Sequence, residues 1–348
     1  MYEKIYTNNL KNRDFDKEGP QNFCSERTTI AERQGVSENE NYEVNPTTLK
    51  TDSSSCLCIT SLQNPKVKKA VKLTDRKERN ETGLFLIEGY RELKRACEGG
   101  VVIQTLFICP KLFLGSNEEV LIDQIRKTQA ERKLQNSRPL QTDSKSSILQ
   151  FPPEIILCNE AVFHKLSYRD RPDGLVAIAH QMQSTLQELI AKIAAKENPF
   201  LIIAEAIEKP GNLGTILRSA DAAGVDGVIV CDRCTDIYNP NVVRASVGTL
   251  FTIPVIEASS AETLFFLRQQ KIKIVAATPS AKEEFTNTPL THGIAIAVGT
   301  EQLGLSEQWM NAADLKVKIP MHGVADSLNV ATATTLLLYE VVRQRKWK

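Results

Sequence analysis

From Phe200 onward the chain alternates unbroken apolar runs with helical stretches, and this alternation limits the fold more than any other feature. The runs are "FLIIAEAI", "VDGVIVC", "TIPVIE", "KIKIVAATP", "IAIAVGT" and "DLKVKIP". The first of them has no polar position at all over five residues, where a strand with one wet face would alternate. Continuous runs of this kind suit strands buried on both faces, as in a parallel sheet covered by helices. The expectation is therefore a doubly wound, mostly parallel α/β domain over residues 199–348. A smaller α/β unit is expected over 56–183, where "GLFLIEG", "VVIQTLFIC", "EIILCN" and "GLVAIAHQ" alternate with helical stretches such as "NPKVKKAVKL" and "YRELKRACEGG". An amphipathic linker helix over 184–198 joins the two. The polar stretch "QNSRPLQTDSKSSILQFPP" reads as a surface loop. Residues 1–55, rich in Asn, Glu, Ser and Thr without an apolar period, read as a disordered extension.

Composition narrows the class. Hydrophobic residues make up 42% and charged residues 24% of 348, values of a globular chain. No apolar run approaches the roughly 20 residues of a membrane helix, and the start lacks a signal-peptide core, so a cytoplasmic location without membrane partners is expected. The eight cysteines (24, 56, 58, 97, 109, 158, 231 and 234) are scattered, which reads as reduced thiols. "CDRC" at 231–234 has no second Cys pair, and the four histidines lack ligand spacing. No metal is expected. The net charge of +1 is uneven: Lys66 to Arg79 carries seven basic residues against two acidic, and the chain ends in "RQRKWK". Such clusters mark either a phosphate-binding surface or a solvated helix face.

Three segments at strand ends concentrate the possible chemistry. In "KPGNLGTILRSADAAG", Asn212 reads as an N-cap and Gly224 as the residue past the C-cap, with Leu213, Ile216, Leu217 and Ala220 facing the core. Arg218 falls outside that stripe, on a helix whose N-terminus favours an anion. In "AVGTEQLGLS", Gly299 and Gly304 permit close backbone approach, and Glu301 can pair with a base or a cation. The third segment is "IPMHGVADSLNVATATTLLLYE". There is no phosphate-binding P-loop and no G-x-G-x-x-G, which speaks against a nucleotide-dependent oxidoreductase.

The order of these three segments resembles the three motifs of the SpoU (TrmH-like) RNA 2′-O-ribose methyltransferases, of the SPOUT class, across residues 200–348. The first half, from "ITSLQNPKVKKAV" through "FLIEGYREL" to "GLVAIAH", resembles their ribosomal-protein-L30e-like substrate-binding domain. The resemblance implies a deep trefoil knot, with "IPMHGVADSLN" as the knot loop cupping S-adenosylmethionine, a rare exception to unknotted chains. It implies Gly299, Ile319 and Leu328 as cofactor contacts. It also implies Arg218 as the residue nearest the chemistry, either as a base for the ribose hydroxyl or as an electrostatic stabiliser, since a free guanidinium is a poor base. Asn212, Glu301, Ser327 and Asn329 match the other polar site positions. Lys66, Lys68, Lys69, Arg79 and Arg244 are the expected RNA contacts. Family habit further implies an obligate homodimer and favours ribosomal over transfer RNA. The alternative is an RNA-binding protein that keeps this fold without turnover.

Overall fold

The computed structural model describes residues 57–136 and 153–345. The expected N-terminal extension, nearly all of the polar loop and the last three residues lie outside the described residues.

The first half builds a five-stranded mixed sheet. In chain order it contains β1 (Leu57–Ile59), α1 (Pro65–Lys72), α2 (Arg76–Thr82), β2 (Leu84–Glu88), α3 (Tyr90–Glu98), β3 (Ile103–Ile108), α4 (Asn117–Asn136), β4 (Glu154–Cys158), α5 (Glu160–Leu166) and β5 (Leu175–His180). The strand order is β1-β4-β3-β5-β2, with β5 antiparallel to both its neighbours. Then comes α6 (Leu186–Ile193), opened by a capping box between Thr185 and Glu188.

The second half holds β6 (Phe200–Glu205), α7 (Pro210–Ala222), β7 (Gly227–Cys231), α8 (Pro240–Ala245), β8 (Val255–Ala258), α9 (Ser260–Gln269), β9 (Lys273–Ala277), β10 (Glu283–Glu284), β11 (Ile294–Val298), α10 (Glu307–Ala312), β12 (Leu315–Lys318) and α11 (Val330–Gln344). Its seven strands run in the order β10-β12-β9-β11-β6-β7-β8. Every pairing is parallel. All residues of β6, β7 and β11 are buried, as their unbroken apolar sequences require. No helix among the described residues is long and apolar enough to cross a membrane.

The two sheets share one apolar core. Phe85 of β2 meets Tyr238 and Phe251 from the second half, with ring centroids 4.6 and 5.8 Å apart, the spacing of favourable aromatic pairs. The contact continues through backbone: a Cβ on Gly99 would sit 2.0 Å from the Phe251 carbonyl oxygen. Only glycine allows that approach.

Arg79 corrects one sequence expectation. It is not an RNA contact: it is 1% exposed, and its Nε lies 2.7 Å from Asp236 Oδ2. Its Nη1 donates to the carbonyls of Leu73 and Thr74, each at 2.8 Å. Asp236 Oδ1 in turn accepts the Tyr238 backbone N–H at 2.9 Å. The pair ties α2 to the turn after β7, and its polar atoms are satisfied as a buried charge demands. The other basic positions divide. Lys66 pairs with Glu154, whereas Lys68, Lys69 and Lys72 are exposed and form no ion pair among the described residues. At the C-terminal end, Arg343 binds Glu340 at 2.7 Å and Arg345 donates to the Asn198 carbonyl at 2.8 Å, so both serve the fold.

Because Asp236→Ala strands a buried guanidinium, it is expected to cost about 3–5 kcal/mol of unfolding free energy. Replacing both partners together by apolar residues of similar volume should recover most of that loss. Chemical denaturation of the four-variant cycle checks this.

Candidate active site

A cavity of about 670 Å³ opens at the carboxyl ends of β9, β11 and β12, where open parallel sheets bind ligands. Its walls are the turn Ala277–Pro279, the loop Val298–Gly304, the segment Val317–Met321 with Asp326–Leu328, and the first turns of α11. Gly299, Ile319, Leu328, Glu301 and Ser327 all line it. The loop after β11 is tightly drawn. Thr300 and Gly304 exchange two backbone hydrogen bonds of 3.0 Å, and a Cβ on Gly299 would stand 2.1 Å from the Gly304 carbonyl oxygen. Gly304 itself has φ +69°, a left-handed conformation that favours glycine. The buried Glu205 at the end of β6 accepts the Ser306 N–H at 2.9 Å and anchors the far side of this loop.

Beside the cavity stands a polar hub. Glu301 Oε1 accepts from Asn212 Nδ2 at 2.6 Å and from Asn329 Nδ2 at 2.8 Å. Asn329 Nδ2 also reaches Asn212 Oδ1 at 3.1 Å, and Lys209 forms an ion pair with Glu301. The amide orientation of Asn329 follows from its second task. Its Oδ1 accepts the N–H groups of Ala331 and Thr332 at 3.0 and 3.4 Å, capping α11, which leaves only its NH₂ for the hub. The ammonium of Lys209, hydrogen-bonded to Glu301, holds that carboxyl below the usual carboxylate range, and Asn212 and Asn329 add to the effect. Glu301 is therefore an ionised organiser at neutral pH, unsuited to taking up a proton.

Asn212 does not cap α7, contrary to the sequence expectation. Lys209 holds the cap position and Pro210 opens the helix, because proline's fixed φ suits a first helical residue that needs no N–H. Asn212 sits two residues further in, its side chain committed to the hub. Gly224 follows the helix with φ +69°, as expected. Lys209 and the turn Ala277–Pro279 escaped the sequence reading. The place of that turn at a strand's carboxyl end was the available signal.

The structure does not bring Arg218 to this cavity. It is exposed on α7, about 9 Å along the helix from Asn212, and has no hydrogen bond or ion pair among the described residues. Ser219 beside it binds Thr335 of α11 at 2.7 Å, fixing the two helices together. Arg244, at the end of α8, is exposed. The "CDRC" motif is split, with Cys234 exposed and Cys231 buried, its thiol pushed up to about 12 by burial.

Comparisons with known proteins place this geometry in context. The model of the SpoU rRNA methylase family matches residues 199–339, and that of the MRM3-like substrate binding domain matches residues 64–177. A 23S rRNA (uridine(2479)-2′-O)-methyltransferase of Streptomyces viridochromogenes is 30% identical over 279 residues, covering 78% of this chain and 87% of that protein. The 23S rRNA (guanosine(2553)-2′-O)-methyltransferase RlmP of Bacillus subtilis is 28% identical over 81% of this chain and 98% of its own length. Among solved structures, an AdoMet-bound rRNA methyltransferase from Sinorhizobium meliloti superposes with a TM-score of 0.67 at 29% identity, over 82% of this chain and 97% of that one.

The hub predicts a pH signature. A carboxylate whose pKa falls on folding adds stability above its unfolded value near 4.3 and loses it as pH drops through the lower folded value. The difference in unfolding free energy between the natural chain and Glu301→Gln should be present at pH 7 and shrink below about pH 4. Denaturation across a pH series measures it, and a difference independent of pH would contradict the assignment.

Proposed function

The chain belongs to the SpoU rRNA methylase family, and from that membership we propose that it methylates a ribose 2′-hydroxyl of ribosomal RNA using S-adenosylmethionine. The observation that carries this reading is the cavity at the ends of β9, β11 and β12, with the Glu301 hub at its rim. The residues fit such a cofactor. Val298, Val317, Ile319 and Leu328 offer apolar walls, the backbone of the two loops offers hydrogen bonds, and Glu284 and Asp326 offer negative charge toward a cationic group. Bound there, the cofactor supplies an electrophilic methyl group on a sulfonium.

The chain's own residues account for the rest of the transfer. Gly299 and Gly304 shape the loop against which a cofactor packs. Glu301 locks Asn212 and Asn329 so that the start of α7 and the start of α11 hold one geometry. Ser327, exposed beside its bond to Asp326, is free to meet the RNA. With the cofactor bound, Arg218 would stabilise the negative charge developing on the 2′-oxygen as its proton passes to water and the methyl moves from sulfur to oxygen, leaving a neutral thioether; that role asks no proton of a guanidinium. The trefoil knot belongs to the same proposal, with the segment Ile319–Asn329 as its loop. So does a cytoplasmic location.

An obligate homodimer completes the reading. It gives Arg218, exposed and away from the cavity of its own chain, a cavity to serve in a second copy. It also covers Leu336 and Tyr339 of α11, which are 42% and 37% exposed. Sedimentation of the full chain should give twice the chain mass, and a species of single mass would refute the dimer.

The decisive experiment is methyl transfer from labelled S-adenosylmethionine to ribosomal and transfer RNA, followed by nucleoside analysis. Label is expected as a 2′-O-methylated nucleoside of ribosomal RNA. Arg218→Ala should lower the rate by about a hundredfold or more with cofactor affinity kept. A binding protein without turnover is the second reading, favoured by the separation of Arg218 from the cavity within one chain. Cofactor binding with no label in any RNA would decide for it.

A further inference from the structure

A second cavity, of about 660 Å³, lies where the two halves of the chain meet, and it shares no lining residue with the first. Its floor is ionic. Arg169 Nη2 lies 2.6 Å from Glu92 Oε1, and Nη1 lies 3.8 Å from Asp173 Oδ2. Asp173 Oδ2 accepts the Tyr90 N–H at 2.7 Å, and Glu118 Oε1 accepts the Leu114 N–H at 3.2 Å. The second oxygen of each carboxylate, Asp173 Oδ1 and Glu118 Oε2, has no hydrogen-bond partner among the described residues, and neither has the Nε of Arg169 beside them, although the two acids are only 6% and 4% exposed. Buried carboxylate oxygens without a donor are costly and rare.

The rim has the opposite character. Arg91, Arg171 and Arg244 line the mouth, are exposed, and form no ion pair among the described residues. Leu114 beside them is 82% exposed. A ligand matching this arrangement carries N–H donors beside an acceptor at one end, a flat middle and an anion at the other end. A nucleotide has that form. Guanine presents on one edge the N–H donors of its ring and amino group, for the two carboxylates, beside a carbonyl oxygen, for the Arg169 Nε. Uracil presents one donor flanked by carbonyl oxygens that a carboxylate repels. Guanidinium groups at the rim suit its phosphate.

We propose that this cavity receives one unstacked nucleotide of the RNA substrate, guanine in preference to uracil, with its phosphate met by Arg91, Arg171 and Arg244. The proposal rests on the reading that the substrate is RNA. It makes the junction of the two halves a base-reading site distinct from the first cavity, built from four segments that are far apart in the chain.

Equilibrium binding of the full chain to short single-stranded RNAs tests it, with one central guanine, inosine or uracil in an otherwise constant sequence. Guanine should bind about tenfold more tightly than uracil, with inosine, which lacks the amino group, in between. Glu118→Gln and Asp173→Asn should reduce the preference to about twofold while cofactor affinity, which reports an intact fold, stays unchanged. Arg171→Glu, on an exposed side chain that folding does not need, should weaken all three RNAs alike. Equal affinity for guanine and uracil, a preference that survives both carboxylate substitutions, or indifference to Arg171→Glu each overturns the proposal. Methyl transfer measured on the same preparation separates the two levels. Transfer to ribosomal RNA without base preference refutes the nucleotide pocket alone, whereas neither transfer nor RNA binding refutes the functional reading with it.

Discussion

A parallel sheet delivers the carboxyl end of every strand to one edge, and the candidate site depends on that constraint. β9, β11 and β12 are neighbours in the sheet, yet they are separated in sequence by helices and turns. Their parallel register brings Ala277, Val298 and Lys318 to the same rim, so three unrelated turns become walls of one cavity. An antiparallel arrangement of the same strands would send the middle turn to the opposite edge. The apolar sequences that enforce burial on both faces are thus the first cause of the site, one level before any catalytic side chain.

The hub beside the cavity uses the same economy of position. Asn329 spends its oxygen on the first turn of α11 and its amide hydrogens on Glu301 and Asn212. A change in the helix start therefore moves the polar cluster, and the reverse also holds. Glu301 receives two donors, Asn212 and Asn329, from segments 89 and 28 residues distant in sequence, and a third, Lys209, from the turn before α7. It lies at the rim and keeps access to water, so its value is positional. It sets the distance between two helix starts and the glycine loop, where a ribose and a methyl donor would have to meet.

Much of this was legible in the sequence because it depends on local pattern. Unbroken Val/Ile runs gave the buried strands, and the glycines of "VGTEQLGLS" gave the tight loop. The order of three motifs gave Gly299, Ile319, Leu328 and Glu301, which the structure brings to one cavity. What failed depends on long-range partners. Arg79 sits among six other basic residues and reads as surface, yet Asp236, 157 residues away, draws it into the core. Asn212 has the chemistry of a cap, but Pro210 fixes the helix start two residues earlier, and Glu301 takes its side chain. Neither competitor is visible from a local window. The same holds for β1, which pairs with β4 across about a hundred residues.

The junction between the halves carries the same lesson into function. A loosely tethered RNA-holding unit would need only a few polar contacts to its catalytic neighbour, as mobile interfaces have. Here Phe85 packs against Tyr238 and Phe251, α3 meets the Phe251 carbonyl across a glycine, and a buried ion pair joins α2 to the turn after β7. Each of these is a contact of core type, and each would be lost on hinge opening. The two halves therefore hold one fixed separation, which converts the lysines of α1 and the arginines around the junction into points at set distances from the first cavity. An RNA bound at those points, as proposed above, would be measured against a rigid frame, so that selection of a target nucleotide would come from geometry along the whole chain as well as from the few residues that touch the reacting ribose.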